Sequence, residues 1–450
     1  MKRHLIYLFA ATLLFLASST THAQSNKVYH PMIHTLQTVV NDHWLLDDVI
    51  TLGTDDWVTI SFDHLSHDYH RFTYRIVHCN ADWTPSDLFE VDYMDGFNDQ
   101  PIEDYENSLN TTMLYTHYRL DLPNDDIQFK VSGNYRVEIY LDEEEEEAFP
   151  PALSQREGTI HYREAESPSL GGVRGGHPSP VAVACFRVVE PRMALTATIT
   201  GNTDIDTYER HQQVSFAVSY NPAEVVDPAT EIKPYVYQNG RTDNYVSGLK
   251  PTHLTTGRVE YTHNTQLIFP GGNEYRRFEI INMHYATQGV DKITYFEPYF
   301  HAALLTDVPR RHYSYDADHD GRYLIRYNLA EDNDIEADYL FVHFRLDMPR
   351  RTGGTLYLSG EFTYNDFTPT YAVVYNDAER AYEATVMLKQ GAYDYQYLWV
   401  PDGTSRGLTA PVEGNSYEAE NEYQVYIYHR PFGGRYDRLV ATQQIKFAQE

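Results

Sequence analysis

Cysteine is almost absent from this 450-residue sequence, which contains only Cys79 and Cys185. Two cysteines are too few for a disulfide-rich scaffold, so stability must come from a hydrophobic core. Both lie in the first predicted domain, and two thiols in one domain often pair in an oxidising compartment. The sequence supplies no distance test for a bridge. A Cys79–Cys185 disulfide and a pair of free thiols therefore both remain open.

Long hydrophobic runs are also missing, except at the N-terminus. Lys2 and Arg3 form a basic start, residues 5–17 are mostly apolar, and a small-residue segment ends at Ala23. This order predicts a secretory signal peptide over residues 1–23, because the apolar run is shorter than the roughly 20 residues that span a bilayer. The residue directly after the predicted cleavage site is Gln24 and not cysteine, so a lipid anchor is not expected. The sequence predicts an extracytoplasmic chain without membrane insertion.

Basic residues are scarce: 35 Lys and Arg stand against 65 Asp and Glu, for a net charge of −30. Such a surface repels nucleic acid and anionic membranes, so neither is an expected partner. High acidity can also indicate disorder, but 39 Tyr, 20 Phe and 4 Trp argue against it, since disordered chains are poor in aromatic residues. The composition favours a folded chain with aromatic side chains on half-buried strands.

Helical periodicity is scarce throughout the chain. Apolar and polar residues instead alternate in short stretches such as 72–79 and 213–220, separated by Gly, Pro, Asn and Asp. This spacing predicts an all-β fold made of tandem immunoglobulin-like or fibronectin-like β-sandwich domains. Breaks in the pattern predict domains at 24–190, 191–335 and 336–450, with an acidic and Gly-rich insertion at 143–180.

Catalytic motifs are absent as well: there is no Gly-x-Ser-x-Gly elbow, His-Glu-x-x-His pair, Walker loop or Cys-x-x-Cys. Two stretches imitate metal sites. His64, His67 and His70 recur at spacing three, but they fall between two predicted strands and are more simply a hairpin loop. Residues 316–321 begin like an EF-hand loop, yet Tyr327 occupies the position that needs a bidentate Glu. We therefore expect no enzyme, no cofactor and no metal.

One stretch between predicted strands is unusually long. Residues 80–110 follow the strand 72–79 and are rich in Asp, Asn, Pro and Gly. Long ordered loops tend to be functional surfaces. Trp83 beside Asp82 could stack on a ligand, although a Trp that pins a turn over the core is the simpler interpretation. We predict a partner-binding loop here, with Asp82, Trp83, Pro85, Ser86, Tyr93, Gly96 and Phe97 as its candidate residues.

The residues around this loop resemble a known family. Residues 74–86, Tyr-Arg-Ile-Val-His-Cys-Asn-Ala-Asp-Trp-Thr-Pro-Ser, look like the signature of the type IX secretion system plug proteins. The likeness continues downstream, at Ser132-Gly-Asn-Tyr135, Asp320-Gly-Arg-Tyr323, Glu336-Ala-Asp-Tyr339, Glu413-Gly-Asn415 and Asn421-Glu-Tyr423. It covers nearly the whole mature chain, and the segment 143–180 departs from it.

The resemblance implies a periplasmic protein at the inner face of the outer membrane. Plug proteins bind the periplasmic opening of the outer-membrane β-barrel translocon of the type IX secretion system and close it when no substrate is in transit. The expected partner is therefore that translocon, bound by a monomer of this chain. No contact residues carry over, because no motif marks them.

A second interpretation concerns the third predicted domain. Residues 356–367 and 391–395 resemble glycogen- and starch-binding early-set sandwiches, which usually carry Trp where this chain has Phe367. A phenyl ring can still stack on a sugar, so the alternative function is that of a glycan-binding periplasmic protein. A sandwich core without a ligand explains the same residues with fewer assumptions, and the plug hypothesis is preferred.

Overall fold

The computed structural model describes residues 25–142, 179–205 and 209–447. The described residues form 29 strands and only short helices, so the all-β prediction is confirmed. The strands are arranged in three β-sandwiches, each with its own hydrophobic core. The predicted signal peptide and nearly all of the predicted insertion lie outside the described residues.

The first sandwich joins a six-stranded sheet to a four-stranded sheet. In spatial order the larger sheet contains β1 (Lys27–Val28), β12 (Ala182–Val189), β11 (Gly133–Leu141), β5 (Phe72–Cys79) and β7 (Gln100–Pro101), and β3 (Val49–Thr51) also pairs with β12. The smaller sheet contains β2 (Ile33–Val40), β4 (Val58–His64), β9 (Thr116–Leu122) and β8 (Asp104–Asn107). A separate ladder joins β6 (Met94–Asp95) to β10 (Gln128–Phe129).

Alternation of residue type explains the two layers of this sandwich. Along β5, Phe72, Tyr74 and Ile76 are buried, while the residues between them are only partly covered. From the opposite sheet, the Phe62 ring meets the Phe72 ring edge-on with centroids 5.1 Å apart. Burying one large apolar side chain contributes about 1.5–3 kcal/mol, so the shared aromatic layer holds the two sheets together.

The second sandwich combines strands from distant parts of the chain. Its five-stranded sheet contains β13 (Ala194–Thr200), β14 (His211–Ser219), β17 (Arg258–Tyr261) and β16 (His253–Thr255), with β18 (Ile268–Pro270) also paired to β14. Its three-stranded sheet contains β15 (Ile232–Gln238), β28 (Glu422–His429) and β29 (Arg438–Lys446). Phe216 and Phe269 therefore share one core with Tyr423 and Val425.

The third sandwich is built from one nine-stranded sheet path. In spatial order this path contains β19 (Arg276–Ile280), β27 (Gly391–Pro401), β24 (Gly354–Ser359), β25 (Ala372–Asn376), β26 (Ala381–Lys389), β23 (Tyr339–Leu346), β21 (Tyr299–Leu304) and β20 (Val290–Phe296). The ninth strand, β22 (Tyr323–Ile325), pairs with β27. The buried side chains of this sandwich form one core that extends from Phe278 to Val412 in the sequence.

The predicted domain boundary at 335/336 is wrong. β19 to β22 precede it, yet Phe278 and Tyr323 lie in the third core and their strands pair with β27. β28 and β29 come long after it, yet they complete the sheet of β15. The third sandwich (residues 271–421) is thus inserted into the second (residues 191–270 and 422–447). The error arose because neighbouring strands usually pair, and here the partners are distant.

The described helices are single turns: α1 (Glu90–Tyr93), α2 (Pro228–Glu231) and α3 (Asn333–Glu336), with 3₁₀ turns at Thr265–Leu267, Glu361–Thr363 and Pro369–Tyr371. Asp227 and Asp332 cap α2 and α3, since their carboxylates accept the backbone N–H groups of Ala229 and Asp334. Helices this short do not persist alone, so the strands around them hold them in place.

A buried ion pair joins the first and third sandwiches. The Asp63 carboxylate of β4 accepts from Lys389 Nζ at 2.6 Å and from the Tyr339 hydroxyl at 2.6 Å. Both side chains of the ion pair are 1% exposed. Asp338 adds a second link, because its carboxylate accepts the Thr112 N–H across the same junction. Separating the two charges would leave each of them buried and uncompensated, which is strongly destabilising. The ion pair therefore fixes the relative position of the two sandwiches.

The second sandwich is attached to the other two in the same way. The Tyr428 hydroxyl donates to Asn134 Oδ1 of the first sandwich at 2.6 Å. Arg322 of the third sandwich pairs with Glu422 at 2.7 Å. Asn134, Arg322 and Asp338 all belong to the segments that resemble the plug proteins. Those segments therefore contribute to the contacts that hold the three sandwiches in one body.

Candidate partner-binding surface

The predicted loop leaves the end of β5 and returns to β9 through α1, β6, β7 and β8. Three of its apolar side chains project into solvent: Phe89, Val91 and Phe97 are 73%, 70% and 76% exposed. Single exposed apolar residues are common, but several on one loop favour a contact surface. The loop therefore has the feature that a binding surface requires.

The backbone on both sides of Phe97 is fixed. Gly96 has a φ of +120°, and a Cβ atom there would lie 2.1 Å from the Asp126 carbonyl oxygen, so only glycine fits. On the other side, Asn98 Oδ1 accepts the Ile76 N–H at 2.7 Å, and its amide donates to the Ile76 carbonyl at 3.2 Å. The turn is held while the ring is free, which lowers the entropy cost of a contact.

Trp83 has a structural role and does not present its ring to a ligand at the surface. Its side chain is 1% exposed and belongs to a small core with Cys79, Val183 and Cys185. The Arg187 guanidinium carbon lies 5.2 Å from the centroid of the indole ring, within the range of a cation–π interaction. Trp83 pins the turn at the start of the loop, as the simpler interpretation of the sequence has it.

Tyr93 is buried and Ser86 is partly buried. Ser86 Oγ and His78 Nδ1 are 2.8 Å apart, and the Tyr93 hydroxyl donates to the Ile76 carbonyl at 2.8 Å. Burial lowers the pKa of His78 to about 4, so the imidazole stays neutral at physiological pH. These two predicted residues support the loop and do not form its outer face.

Asp82, Pro85 and Phe97 are the predicted residues that solvent reaches most freely. The structure adds Phe89 and Val91, which the sequence analysis missed. No sequence signal separates them from core residues, because an apolar side chain in a short helical turn is buried as often as it is exposed. Only the fold shows that Val91 of α1 and Phe89, the residue just before it, face solvent.

Acidic side chains are frequent along the same loop. No Lys or Arg occurs from Asn80 to Tyr118, whereas residues 82–106 contain nine acidic residues: Asp82, Asp87, Glu90, Asp92, Asp95, Asp99, Glu103, Asp104 and Glu106. Neighbouring segments neutralise four of them through Arg75, Lys130 and Arg435. None of the ion pairs between described residues involves the other five. The loop therefore carries an excess of negative charge in addition to its exposed apolar side chains.

Cys79 and Cys185 are both free and buried, so the structure contains no bridge between them. Cys79 lies in β5 and Cys185 in β12, and β11 runs between these two strands. Strands are about 4.8 Å apart, and Cys79 and Cys185 are opposite different β11 residues, Asn134 and Arg136. The two Cα atoms are therefore more than about 9 Å apart, beyond the 4.4–6.8 Å that a disulfide spans. Burial raises the pKa of each thiol to about 12. Of the two alternatives that the sequence left open, the structure has the pair of free thiols and not the Cys79–Cys185 disulfide.

The two stretches that imitate metal sites have other contacts. The buried His64 ring meets the His70 ring at 4.4 Å, and burial together with neighbouring histidines lowers the pKa of His64 to about 3. His67 hydrogen-bonds the Ser108 carbonyl instead. Within the part of the chain that the structure describes, no group of three or more His, Cys, Asp or Glu is arranged to hold a metal ion.

The acidic turn at residues 316–321 faces the second sandwich. Asp320 pairs with Lys446 at 3.0 Å, and Asp318 accepts the Tyr275 N–H. Burial and neighbouring carboxylates raise the pKa values of Asp318 and Asp320 to about 7, and burial raises that of Asp394 to about 7 as well. Asp320 therefore lies at the junction between the second and third sandwiches, and Asp318 and Asp394 lie beside it in the third.

A cavity of about 130 Å³ lies where the three sandwiches meet, and Asp48, Arg187, Tyr237 and Glu361 are among its lining residues. Burial raises the pKa of Asp48 well above its usual range and also raises that of Glu361. The space is large enough for several water molecules, which such polar walls would bind. Because residues of all three sandwiches line this cavity, it is a feature of their junction and not of the outer surface.

Phe367, the residue on which the glycan alternative depends, is half-buried. Its ring lies 5.2 Å from the ring of Tyr357, and a Cβ atom on Gly407 would come within 2.9 Å of it. One side of the phenyl ring is therefore used in packing within the third sandwich. The structure offers no observation that favours stacking on a sugar.

Comparison with known proteins places the chain in a family. Residues 33–153 match the family described as the type 9 secretion system plug protein first domain. A crystal structure of a hypothetical protein from Parabacteroides merdae is 41% identical, with a TM-score of 0.85, and the match covers 94% of this chain and 99% of that chain. No curated protein matches.

The structure is that of an all-β protein with exposed apolar side chains on one long loop of its first sandwich. The chain belongs to the type IX secretion system plug protein family, as the resemblance predicted, and is thereby linked to type IX secretion. Among the described residues, no helix is both long and apolar enough to cross a membrane.

Proposed function

We propose that this protein is a periplasmic plug that binds and seals the periplasmic opening of the outer-membrane translocon of the type IX secretion system. It acts when no substrate is in transit, as a monomer at the inner face of the outer membrane. The observation that carries this proposal is the match of residues 33–153 to the first domain of the plug proteins. This role requires a rigid protein that binds its partner reversibly, and it does not require catalysis.

The rigidity of the molecule supports such a role. A stopper that flexed between its sandwiches would leave gaps in a wide pore. Here the buried Asp63–Lys389 pair and the Arg322–Glu422 pair join the sandwiches through groups that are costly to separate. Buried polar contacts of this kind fix orientation more strictly than an apolar surface, which tolerates sliding.

Affinity purification from outer membranes tests the proposal. A C-terminally tagged chain is expressed in a bacterium that has a type IX system, under conditions in which its substrates are made or withheld. We expect an outer-membrane β-barrel of the translocon to co-purify, in larger amount when substrates are withheld. Absence of the barrel from both preparations, with the tagged chain recovered intact, would contradict the proposal.

A permeability measurement tests the sealing step separately. Deletion of the gene should leave open translocons, so the cells should take up a large antibiotic such as vancomycin and become more sensitive to it. Expression of the intact chain should restore resistance. Unchanged sensitivity in the deletion strain, with the translocon present, would mean that the protein binds without sealing.

A further inference from the structure

A second loop lies directly against the partner-binding loop. It joins β28 to β29, and Arg435 of this loop pairs with Asp92 of α1 at 2.9 Å. Asp437 Oδ2 accepts the Ala81 N–H at 3.1 Å, and the Tyr436 ring lies 5.3 Å from the His78 ring. Because these contacts hold the start of the partner-binding loop and its helical turn α1, the two loops adjoin on one outer surface although the second belongs to another sandwich.

The tip of this second loop is the most exposed large apolar side chain in the described part of the chain. Phe432 is 99% exposed. Gly433 beside it has a φ of +75°, which fixes a tight turn. Arg435, three positions further on, is the residue that pairs with α1, so Phe432 lies on the same side of the molecule as Phe89 and Val91. An ordered phenyl ring left wholly in water is typical of an anchor for a partner.

The acidic surroundings indicate the chemistry of that partner. The five acidic residues of the partner-binding loop without an ion pair among the described residues are Asp82, Asp87, Glu103, Asp104 and Glu106. We call these five residues the acidic rim, and a surface with this charge attracts Lys and Arg side chains and repels acidic ones. The exposed apolar side chains of the two loops need apolar pockets to fill. The complementary surface therefore combines basic side chains with apolar pockets.

We propose that Phe89, Val91, Phe97 and Phe432, together with this acidic rim, form a two-loop surface that docks on a basic, pocketed face of the translocon opening. This proposal rests on the proposed function and deepens it. The first and second sandwiches both contribute anchors, so the contact requires that their junction is intact. The apolar anchors should slow dissociation of the complex, and the acidic rim should orient the two partners and speed their association.

Binding to the purified translocon in detergent tests the two-loop surface. Phe97→Ser and Phe432→Ser are compared with Phe296→Ser, a matched control whose ring is 63% exposed on β20 of the third sandwich. We expect each of the first two substitutions to weaken binding at least tenfold, and the control to stay within twofold. All three side chains are exposed, so the fold should persist, and a thermal unfolding curve checks this.

The charged rim has its own test. Asp87→Lys with Glu103→Lys should slow association at least tenfold at low salt, whereas the control pair Asp291→Lys with Glu297→Lys, on the third sandwich, should not. Raising NaCl from 50 to 500 mM should weaken binding of the unaltered protein. Faster association of the first variant, or binding that strengthens with salt, would overturn the charge complementarity.

The outcomes separate the two proposals. If the unaltered protein binds the translocon but Phe97→Ser and Phe432→Ser bind equally well, the two-loop surface is wrong and the plug function stands. If only Phe97→Ser weakens binding, the contact surface is confined to the first sandwich and the two-loop surface is overturned. If the unaltered protein does not bind the purified translocon, the proposed function itself fails.

Discussion

Trp83 and Phe97 are both aromatic and lie in one loop, yet the structure gives them opposite environments. Trp83 is covered by the cysteine-containing small core, and Phe97 extends into solvent. The difference comes from the backbone. Trp83 has a φ of +63° and follows a tight turn. Phe97 follows Gly96, a position where only glycine fits beside the Asp126 carbonyl oxygen. Residue type predicted a notable loop, but only the fold decides which rings are available to a partner.

Substitution of Trp83 should therefore affect stability more than binding. Trp83→Ala removes a buried indole and should lower the free energy of unfolding by about 3–5 kcal/mol, while Phe97→Ser should change it by about 0.5 kcal/mol or less. Equilibrium unfolding in urea measures both values. A Trp83→Ala variant of normal stability that failed to bind the translocon would show that the indole contacts the partner instead.

At the scale of single elements, the alternation of residues located most strands in the sequence. It worked for β5, β9 and β11 because buried and partly covered residues alternate over much of each strand. In β4 the residue types alternate although six of its seven residues are buried. Alternation carries no information about which strands pair. β28 pairs with β15, which lies nearly two hundred positions earlier, so the insertion of one sandwich into another was not visible. The exposed side chains of α1 were missed for a related reason, since exposure is decided by distant neighbours.

The strand order makes a prediction about the two thiols. β11 separates β5 from β12, and a thiol pKa of about 12 leaves almost no thiolate at pH 8. Cys79 and Cys185 should react with a thiol reagent such as DTNB only after unfolding, and mild oxidants should form no intramolecular bridge. Mass spectrometry of the native and the unfolded chain counts the labelled thiols. Rapid labelling of both cysteines in the native protein would contradict the strand order.

At the scale of the whole molecule, the three sandwiches depend on buried charges. Lys389→Met leaves the Asp63 carboxylate buried without its cation, and the free energy of unfolding should fall by about 3–5 kcal/mol. Adding Asp63→Asn to Lys389→Met removes the stranded charge and should recover part of that loss. Urea unfolding of the two single variants and the double variant gives the coupling energy. Additive effects would mean that the pair does not connect the first sandwich to the third.

The carboxyl groups between the second and third sandwiches give the whole molecule a pH dependence with a definite sign. The pKa values of Asp318, Asp320 and Asp394 are raised to about 7 by burial, and Glu274 and neighbouring Asp carboxylates add to this, although Lys446 and Arg277 partly oppose it. In the unfolded chain the same groups titrate near pH 4. Between these values the folded state binds more protons, so stability from these groups falls as pH rises towards 7.

The urea midpoint should accordingly be higher at pH 5.5 than at pH 8, with each extra bound proton contributing about 1.4 kcal/mol per pH unit within the window. Asp318→Asn should flatten this dependence, because the amide can still accept the Tyr275 N–H and carries no charge at either pH. Asp377→Asn, at a carboxylate that is 77% exposed, is the matched control and should leave the dependence intact. The contrary result is a midpoint that rises equally from pH 5.5 to 8 in the unaltered protein, Asp377→Asn and Asp318→Asn. It would show that these carboxyl groups are ionised in the folded state and that neighbouring cations compensate their charge in full.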